Sequence, residues 1–226
     1  MEEKGISWGG YAEDYPIQQG CYTPYAPVYP NGTEVPHCKS RPWLFDIHSF
    51  LTFWVAYVRK HFPFISFETI YTNQTRCNKL YNSDMFWTHL KEGKLPQFVY
   101  YVPNLLNDGH DTDAAYYANY IQQTWVDTFY NNEYFNAGAL NYLSLDESGN
   151  TTGFNTVPGD NNNHIYAAIW GDAIINRDTY DKYDFVRYNH SSITATLEMN
   201  WWGKTGLLGR NDTYAPVFSL PYTGAN

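Results

Sequence analysis

Short β-branched and aromatic runs alternate with helix-patterned segments along this chain, and that order constrains the fold more than any other feature. The strand pattern covers 97–102, 139–145 and 164–170. Apolar residues recur at helical spacing over 112–129 and 192–202. An alternation of strands and helices is typical of a mainly parallel sheet flanked by helices. The predicted fold class is therefore α/β.

Three further segments complete the predicted organisation of one domain over residues 1–226. Residues 43–60 are apolar at helical spacing, but they include Asp46 and are shorter than the ~20 residues of a membrane span. They predict a packed helix and no transmembrane segment. Residues 1–42 are rich in Pro, Gly and Tyr and predict an extended, loop-rich arm. Residues 148–163 predict a long loop, a kind of segment that often carries function.

The two later helices have predicted caps and buried faces. Asp111 or Thr112 is expected to cap the helix over 112–129, and Ser191 or Ser192 the helix over 192–202. The expected buried stripes are Ala114, Tyr117, Ala118, Ile121 and Trp125 in the first, and Ile193, Leu197 and Trp201 in the second.

Composition excludes two classes of protein. Fourteen Lys and Arg stand against 23 Asp and Glu, giving a net charge of −9, which is unsuited to a nucleic-acid binder. Aromatic residues make up 19% of the chain, enough apolar area to argue against disorder.

The chain carries five N-x-Ser/Thr triplets, which predict glycosylation and a secretory history. They begin at Asn31, Asn73, Asn150, Asn189 and Asn211. No apolar segment follows the acidic start Met1-Glu2-Glu3-Lys4, so no signal peptide is predicted within this chain.

The three cysteines allow at most one internal disulfide. A Cys21–Cys38 bridge would close a short loop and leave Cys77 free or paired outside the chain. Because there is no CxxC or Cys/His spacing, a structural zinc site is not expected.

Polar clusters follow two of the predicted strands, where the reactive groups of open α/β sheets gather. Asp108-Gly109-His110-Asp111 lies in the loop after 97–102, and Asp146-Glu147 follows 139–145. Neighbouring carboxylates need a cation, and oxygen ligands suit a divalent metal that polarises a phosphoryl group. The patterns indicate a metal-assisted hydrolase, although Asp-Gly is also a common turn and Asp-Glu a common start to a solvated loop.

Two other histidines lie near predicted helix ends. His61 follows Arg59-Lys60, where a positive charge suits the helix dipole, so it is interpreted as a helix-end residue. His190 precedes the last helix and is placed to point towards the carboxyl ends of the strands.

Ordered elements along the chain resemble the secreted phosphoesterase family of fungal acid phosphatases and bacterial non-specific phospholipases C, related in fold to alkaline phosphatase. Ile6-Ser7-Trp8 with Tyr11 and Pro16 is similar to the first of the family elements that this chain contains. The other matching elements are 57–64, 95–104, 107–112, 145–148, 188–201 and 207–212.

The resemblance implies hydrolysis of a phosphate ester, either a small molecule or a phospholipid, with a divalent metal whose identity stays open. Asp146 and Glu147 would be metal ligands by position. His110 would contact the phosphoryl group or help the leaving oxygen depart, and Asp108 and Asp111 would orient it. The full-length form would be extracellular or in the cell wall.

The resemblance covers about the C-terminal half of the family pattern. The family's opening segment supplies a Glu-Asn pair for the metal and then the Ser or Thr nucleophile, and this chain starts after it. The expected fold therefore lacks its N-terminal strands, and the chain is interpreted as a fragment of a phosphoesterase. The alternative is an inactive shortened paralogue that binds glycans or cell wall. A glycosidase is disfavoured because the adjacent Asp146 and Glu147 would point to opposite faces of a strand.

Overall fold

The computed structural model describes five stretches of the chain: 1–22, 57–126, 132–147, 165–173 and 186–218. Two compact units, 1–128 and 129–226, divide the chain, and each is described by itself. The single domain over 1–226 stays a prediction. The predicted loop over 148–163 and most of the predicted helix over 43–60 lie outside the described residues.

The first unit contains a parallel three-stranded sheet in the order β2-β1-β3. Its strands are β1 Trp8–Ala12, β2 Leu80–Asn82 and β3 Phe98–Val102. The strand predicted over 97–102 is confirmed as β3. The prediction of an arm over 1–42 is wrong at its start, because β1 is the central strand.

Two glycines explain why the local sequence pattern does not predict β1. Gly9 and Gly10 weaken the strand signal, since glycine is unfavourable in strands. Packing nevertheless requires a small residue there: a Cβ at Gly10 would lie 2.9 Å from ring atoms of Phe62, which is fully buried.

The helices of the first unit flank this sheet, and most of them are short. They are α1 Glu68–Tyr71, α2 Gln74–Cys77, α3 Ser83–Lys91 and α4 Ala114–Tyr120, which continues as a π-helix over Ile121–Val126. Single 3₁₀ turns cover Glu2–Lys4, Arg59–His61 and Pro63–Ser66. Val58 is extended, so the helix predicted over 43–60 does not continue into Arg59.

The helix predicted over 112–129 is confirmed in part. Asp113, rather than Asp111 or Thr112, caps α4 by accepting a 2.8 Å hydrogen bond from the Tyr116 amide. Tyr117, Ile121 and Trp125 are half-buried, whereas Ala114 and Ala118 of the predicted stripe are exposed.

The core of the first unit lies under the sheet and contains a disulfide. Its buried members are Ala12, Tyr15, Cys21, Phe62, Ile65, Cys77, Leu80 and Val102. Cys21 pairs with Cys77, so the expected Cys21–Cys38 pairing is wrong. The reason is tertiary: an antiparallel bridge between Gln19 and Tyr81 lays the segment before Cys21 along β2, just after Cys77 ends α2. Cys38 lies outside the described residues.

The second unit contains an antiparallel pair of strands and one long helix. Its elements are α5 Glu133–Asn136, β4 Asn141–Ser144, β5 Ala167–Trp170, α6 Ser191–Trp202 and a 3₁₀ turn over Asn211–Thr213. Both strands lie within the predicted segments, and α6 begins one residue before the predicted helix over 192–202. The strands are antiparallel, with Asn141 paired to Trp170. The α/β class with a parallel sheet and flanking helices is confirmed, and the strand pair of the second unit is antiparallel.

Helix α6 buries a more polar face than its sequence suggests. Its buried residues are Ser192, Ala195, Thr196 and Glu198, while the predicted Ile193, Leu197 and Trp201 are half-buried. Over the described residues, no helix is both long and apolar enough to cross a bilayer.

Candidate functional site

Polar residues follow the strands of the first unit at the carboxyl end of the sheet, where parallel sheets place their sites. Glu13 and Asp14 come directly after β1, and Asn104 comes shortly after β3. The loop over 103–113 then carries the predicted Asp108, His110 and Asp111 to the start of α4.

Glu13 is the most connected carboxylate at this end. Its Oε1 atom accepts hydrogen bonds from the hydroxyls of Tyr101 and Tyr120, both at 2.9 Å. Its Oε2 atom accepts from the Asn104 amide at 3.0 Å and from Nδ2 of Asn107 at 2.7 Å. No local pattern marks Glu13 as a site residue, although it lies between Tyr11 and Pro16 of the first family element.

The two tyrosines stay protonated and therefore donate. Burial raises the pKa of Tyr101 and of Tyr120 well above the usual tyrosine value, and the negative charge of Glu13 raises each further. The phenols thus act as fixed donors to the Glu13 carboxylate and not as bases.

Asn104 shapes the first half of the loop. Its Oδ1 atom accepts from the amides of Leu106 and Asn107, both at 3.0 Å, and its Nδ2 donates to Oδ2 of Asp14 at 2.8 Å. These bonds close a turn of the kind that asparagine side chains favour. The loop is therefore tied both to itself and to the residues after β1.

Asp108 shapes the second half of the loop. Its Oδ1 atom accepts from the amides of His110 at 2.9 Å and Asp111 at 3.5 Å. Gly109 between them has φ +83°, a conformation that suits glycine. Nδ1 of His110 lies 3.4 Å from Oδ1 of Asp111. The structure thus brings the three predicted catalytic residues together, with the His110 side chain 72% exposed and that of Asp108 14% exposed.

His61 also reaches this cluster. His61 ends the 3₁₀ turn Arg59–His61, in keeping with its interpretation as a helix-end residue. Its Nδ1 atom also lies 4.0 Å from Oδ2 of Asp108, a contact that this interpretation does not include. No local pattern around Arg59-Lys60-His61 points to Asp108, and the family element over 57–64 was the one available signal.

In the second unit, Asp146 and Glu147 follow β4 and are exposed. Nε2 of His190, the residue before α6, lies 2.6 Å from the backbone oxygen of Asp146. Because a carbonyl oxygen only accepts, Nε2 is the donor in this contact. The N-cap position of α6 is His190, without a side-chain cap, so the expected cap by Ser191 or Ser192 is wrong. Oδ1 of Asn189, one residue earlier, accepts from the Ser191 amide at 2.9 Å.

The donor chemistry of Asp146 and Glu147 fits a hard divalent cation, which prefers carboxylate oxygens. Within the described stretches, no group of three His, Cys, Asp or Glu side chains is arranged to hold a metal ion. Asp146 and Glu147 are thus two side chains whose oxygens suit such a cation, adjacent in sequence shortly after β4.

Two buried acidic residues, Glu198 and Asp212, have structural roles in the family elements over 188–201 and 207–212. Oε2 of Glu198 accepts from the amides of Gly206 and Leu207. Asp212 accepts from the amides of Leu208 and Arg210. Burial opposes the charge on Asp212, but the Arg210 and Leu208 amides outweigh it and lower its pKa. These carboxylates hold the loop after α6.

The structure describes three of the five predicted glycosylation sites. Asn73, Asn189 and Asn211 are all exposed. Asn31 and Asn150 lie outside the described residues.

Comparison with known proteins gives consistent results. The phosphoesterase family model matches residues 1–202. An acid phosphatase of Aspergillus fumigatus is 28% identical over 222 residues, which are 97% of this chain and 42% of the relative. A probable acid phosphatase of Kluyveromyces lactis is 29% identical over 100% of this chain and 46% of its own length. A phosphate-repressible acid phosphatase of Penicillium chrysogenum is 31% identical over 97% of this chain and 45% of its own length.

The chain spans less than half the length of these curated relatives. No solved structure matches it. Because the family model covers most of the sequence, the chain belongs to the phosphoesterase family.

Proposed function

We propose that this chain serves the hydrolysis of phosphate esters in an acid phosphatase-type enzyme. The observation that carries the proposal is the Asp108–Asp111 turn at the carboxyl end of a parallel sheet, which presents an exposed imidazole beside a carboxylate. The names of the fungal relatives support the same reaction class.

His110 is proposed to act on the phosphoryl group or on the leaving oxygen. Asp111 lies next to Nδ1, and a neighbouring carboxylate orients an imidazole. Nε2 is then the nitrogen that contacts a phosphoryl oxygen or gives a proton to the departing alkoxide. Asp108 holds the turn through the His110 and Asp111 amides, and its second oxygen faces His61.

Asp146 and Glu147 are proposed to be ligands of a divalent metal, and His190 to position the strand end through the Asp146 backbone oxygen. A divalent ion would act as a Lewis acid that stabilises negative charge on the phosphoryl oxygens. The oxygen donors leave its identity open among Mg²⁺, Mn²⁺ and similar ions.

Variants of both groups test the proposal on the purified protein that contains this chain, with p-nitrophenyl phosphate as substrate. His110→Gln is expected to lower kcat/KM about 10²- to 10⁴-fold, the usual contribution of an acid–base group. His89→Gln is the matched control, because His89 bonds to Tyr11 and not to the loop. Wild-type protein without turnover, or His110→Gln with wild-type kcat/KM, would contradict the proposal.

Metal binding is measured separately from turnover. Asp146→Asn is expected to weaken Mn²⁺ binding measured by electron paramagnetic resonance, whereas Asp172→Asn, which changes another exposed carboxylate of the same unit, leaves it unchanged. Equal Mn²⁺ binding by both variants would argue against Asp146 as a ligand. Turnover of phosphatidylcholine beside p-nitrophenyl phosphate separates a phospholipase C from a phosphatase.

Glycan binding without catalysis is a second candidate function. Two tyrosines of the second unit are strongly exposed, Tyr166 at 62% and Tyr214 at 90%, and exposed rings can stack on sugars. Retention on a glycan array that is lost in Tyr214→Ala, in a protein without phosphatase turnover, would favour this function over hydrolysis.

We also propose that the protein is secreted and glycosylated, in keeping with its five triplets. A fall in mass after treatment with an N-glycosidase is the expected result for protein from its native source. An unchanged mass would count against secretion through a glycosylating pathway.

A further inference from the structure

We propose that Glu13 is a positioning residue that fixes the loop over 103–113 and thereby places His110 for phosphate ester hydrolysis. The inference rests on the proposed function, and it assigns to Glu13 a role distinct from contact with substrate. Four hydrogen bonds in the first unit support it.

The four partners of Glu13 come from both flanks of the loop and from the loop itself. Tyr101 belongs to β3 before the loop, and Tyr120 is the last residue of α4 after it. Asn104 and Asn107 lie within the loop. A single carboxylate therefore joins the strand that enters the loop, the helix that leaves it and the turn between them.

These contacts occupy the hydrogen-bond acceptor positions of the Glu13 carboxylate. An ionised carboxylate has about four acceptor positions, and Glu13 receives four hydrogen bonds, two on each oxygen. It keeps no spare acceptor for a substrate proton or a metal, which is why the role assigned is positioning. All four donors are neutral, so their bonds depend on the negative charge of Glu13 itself.

The path from Glu13 to His110 is short. Asn107, which donates to Oε2 of Glu13, precedes Asp108 in the chain. Asp108 accepts from the His110 amide and so sets the turn that carries the imidazole. A backbone hydrogen bond also fixes Glu13 itself, because the Glu13 amide donates to the Val102 oxygen at the end of β3.

A glutamine at position 13 would keep the shape and lose the function of the group. Only one of its two terminal atoms accepts, so two of the present donors would face an NH₂ group. The loop would then lose two of its ties, and a displacement of about 1 Å at a reacting group can cost about 10²-fold in rate.

Glu2 provides a matched control within the same unit. It is also a glutamate with several side-chain partners, which are Trp8, Arg76 and Lys79, and none of them belongs to the loop over 103–113. Glu2→Gln removes the same charge from the same unit without touching the ties of the loop.

The test compares Glu13→Gln and Glu2→Gln in steady-state hydrolysis of p-nitrophenyl phosphate. Glu13→Gln is expected to lower kcat about 100-fold with KM changed less than about threefold. Glu2→Gln is expected to keep the wild-type kcat. If Glu13 served folding alone, Glu13→Gln would contain less active enzyme at the wild-type kcat, and active-site titration separates this outcome from a change in kcat.

Amide hydrogen exchange gives a readout that does not depend on turnover. The amides of Leu106, Asn107 and His110 are hydrogen-bonded within the loop, and we expect them to exchange at least about tenfold faster in Glu13→Gln and at the wild-type rate in Glu2→Gln. If Glu13→Gln does not fold, Tyr120→Phe removes one of the four bonds, and it should lower kcat about tenfold.

The outcomes separate the two proposals. Wild-type protein without turnover overturns the proposed hydrolysis, and hydrogen exchange then decides whether Glu13 fixes the loop. Wild-type kcat and wild-type exchange in Glu13→Gln, beside an active wild-type protein, overturn the positioning role and leave the hydrolysis standing.

Discussion

The two ends of the parallel sheet in the first unit are built from different chemistry. At the amino end, Glu2 is paired with two cations, Arg76 at 2.9 Å and Lys79 at 2.8 Å. At the carboxyl end, Glu13 is surrounded by neutral donors from tyrosine and asparagine. The negative charge of Glu2 is therefore balanced by cations, whereas the four hydrogen-bond donors of Glu13 leave its negative charge unbalanced.

The remaining groups follow the same division. The disulfide reaches the amino end through Cys77, which ends α2 shortly before β2 begins. The carboxyl end gathers Asp108, His110 and Asp111, with His61 facing Asp108. The comparison teaches that the amino end stabilises the unit, whereas the carboxyl end holds an exposed polar loop in a defined geometry.

The largest expected effect is on the disulfide. Replacing Cys21 and Cys77 together by serine is expected to lower the free energy of unfolding by about 4 kcal/mol, because the bridge joins residues 56 apart and restricts the unfolded chain. Urea denaturation measures the loss, and kcat of the folded fraction should stay unchanged. Cys38→Ser is the control, and an equal loss in that variant would contradict the pairing.

The next effect concerns alanine substitutions at two glycines, one at each end of the sheet. Gly5 and Gly109 both have positive φ, at +71° and +83°, so alanine should cost about 1–2 kcal/mol of stability at either position. A Cβ at Gly5 meets no atom within 4 Å, whereas one at Gly109 lies 3.1 Å from the Tyr117 ring. Gly109→Ala should therefore also lower kcat, and Gly5→Ala should not. Equal kcat values for the two variants would break the proposed division between the ends.

The smallest effect concerns pH. The hydrogen bond from Lys79, aided by those from Arg76 and Trp8 and opposed by burial, lowers the pKa of Glu2 from 4.5 to about 2. A carboxyl group with a lowered pKa in the folded state stabilises the fold above its unfolded pKa and loses that contribution as pH falls. The side chain is 34% exposed, so solvent screening reduces the contribution to about 1 kcal/mol.

Glu2→Gln should consequently be about 1 kcal/mol less stable than wild type at pH 7, and the difference should vanish as pH falls from 4.5 to about 2. Urea midpoints over this range measure it. A difference that persists at pH 2 would show that Glu2 stabilises the amino end by something other than its charge.

Local patterns were sufficient where an element buries an apolar run or follows helical spacing. Strands β3, β4 and β5 lie within their predicted segments, and α6 begins at Ser191, one residue before its predicted start. The Asp108, His110 and Asp111 cluster was predictable as well, because the three residues are neighbours in sequence and the loop follows a strand.

Patterns failed where partners are distant in sequence. β1 contains two glycines that weaken its signal, and only the Phe62 ring across the sheet explains why Gly10 must be small. The contact of His61 with Asp108 and the bonds of Glu13 to Tyr101 and Tyr120 likewise join residues that no short window contains.

The sequence by itself determined the α/β class, the family and the residues of the Asp108–Asp111 turn, since each depends on neighbours or on ordered short elements. Tertiary structure alone decided that β1 is the central strand, that Cys21 pairs with Cys77 and that Glu13 ties the loop. The physical reason is that register, disulfide pairing and the filling of a carboxylate's acceptor positions depend on which distant segments meet in space.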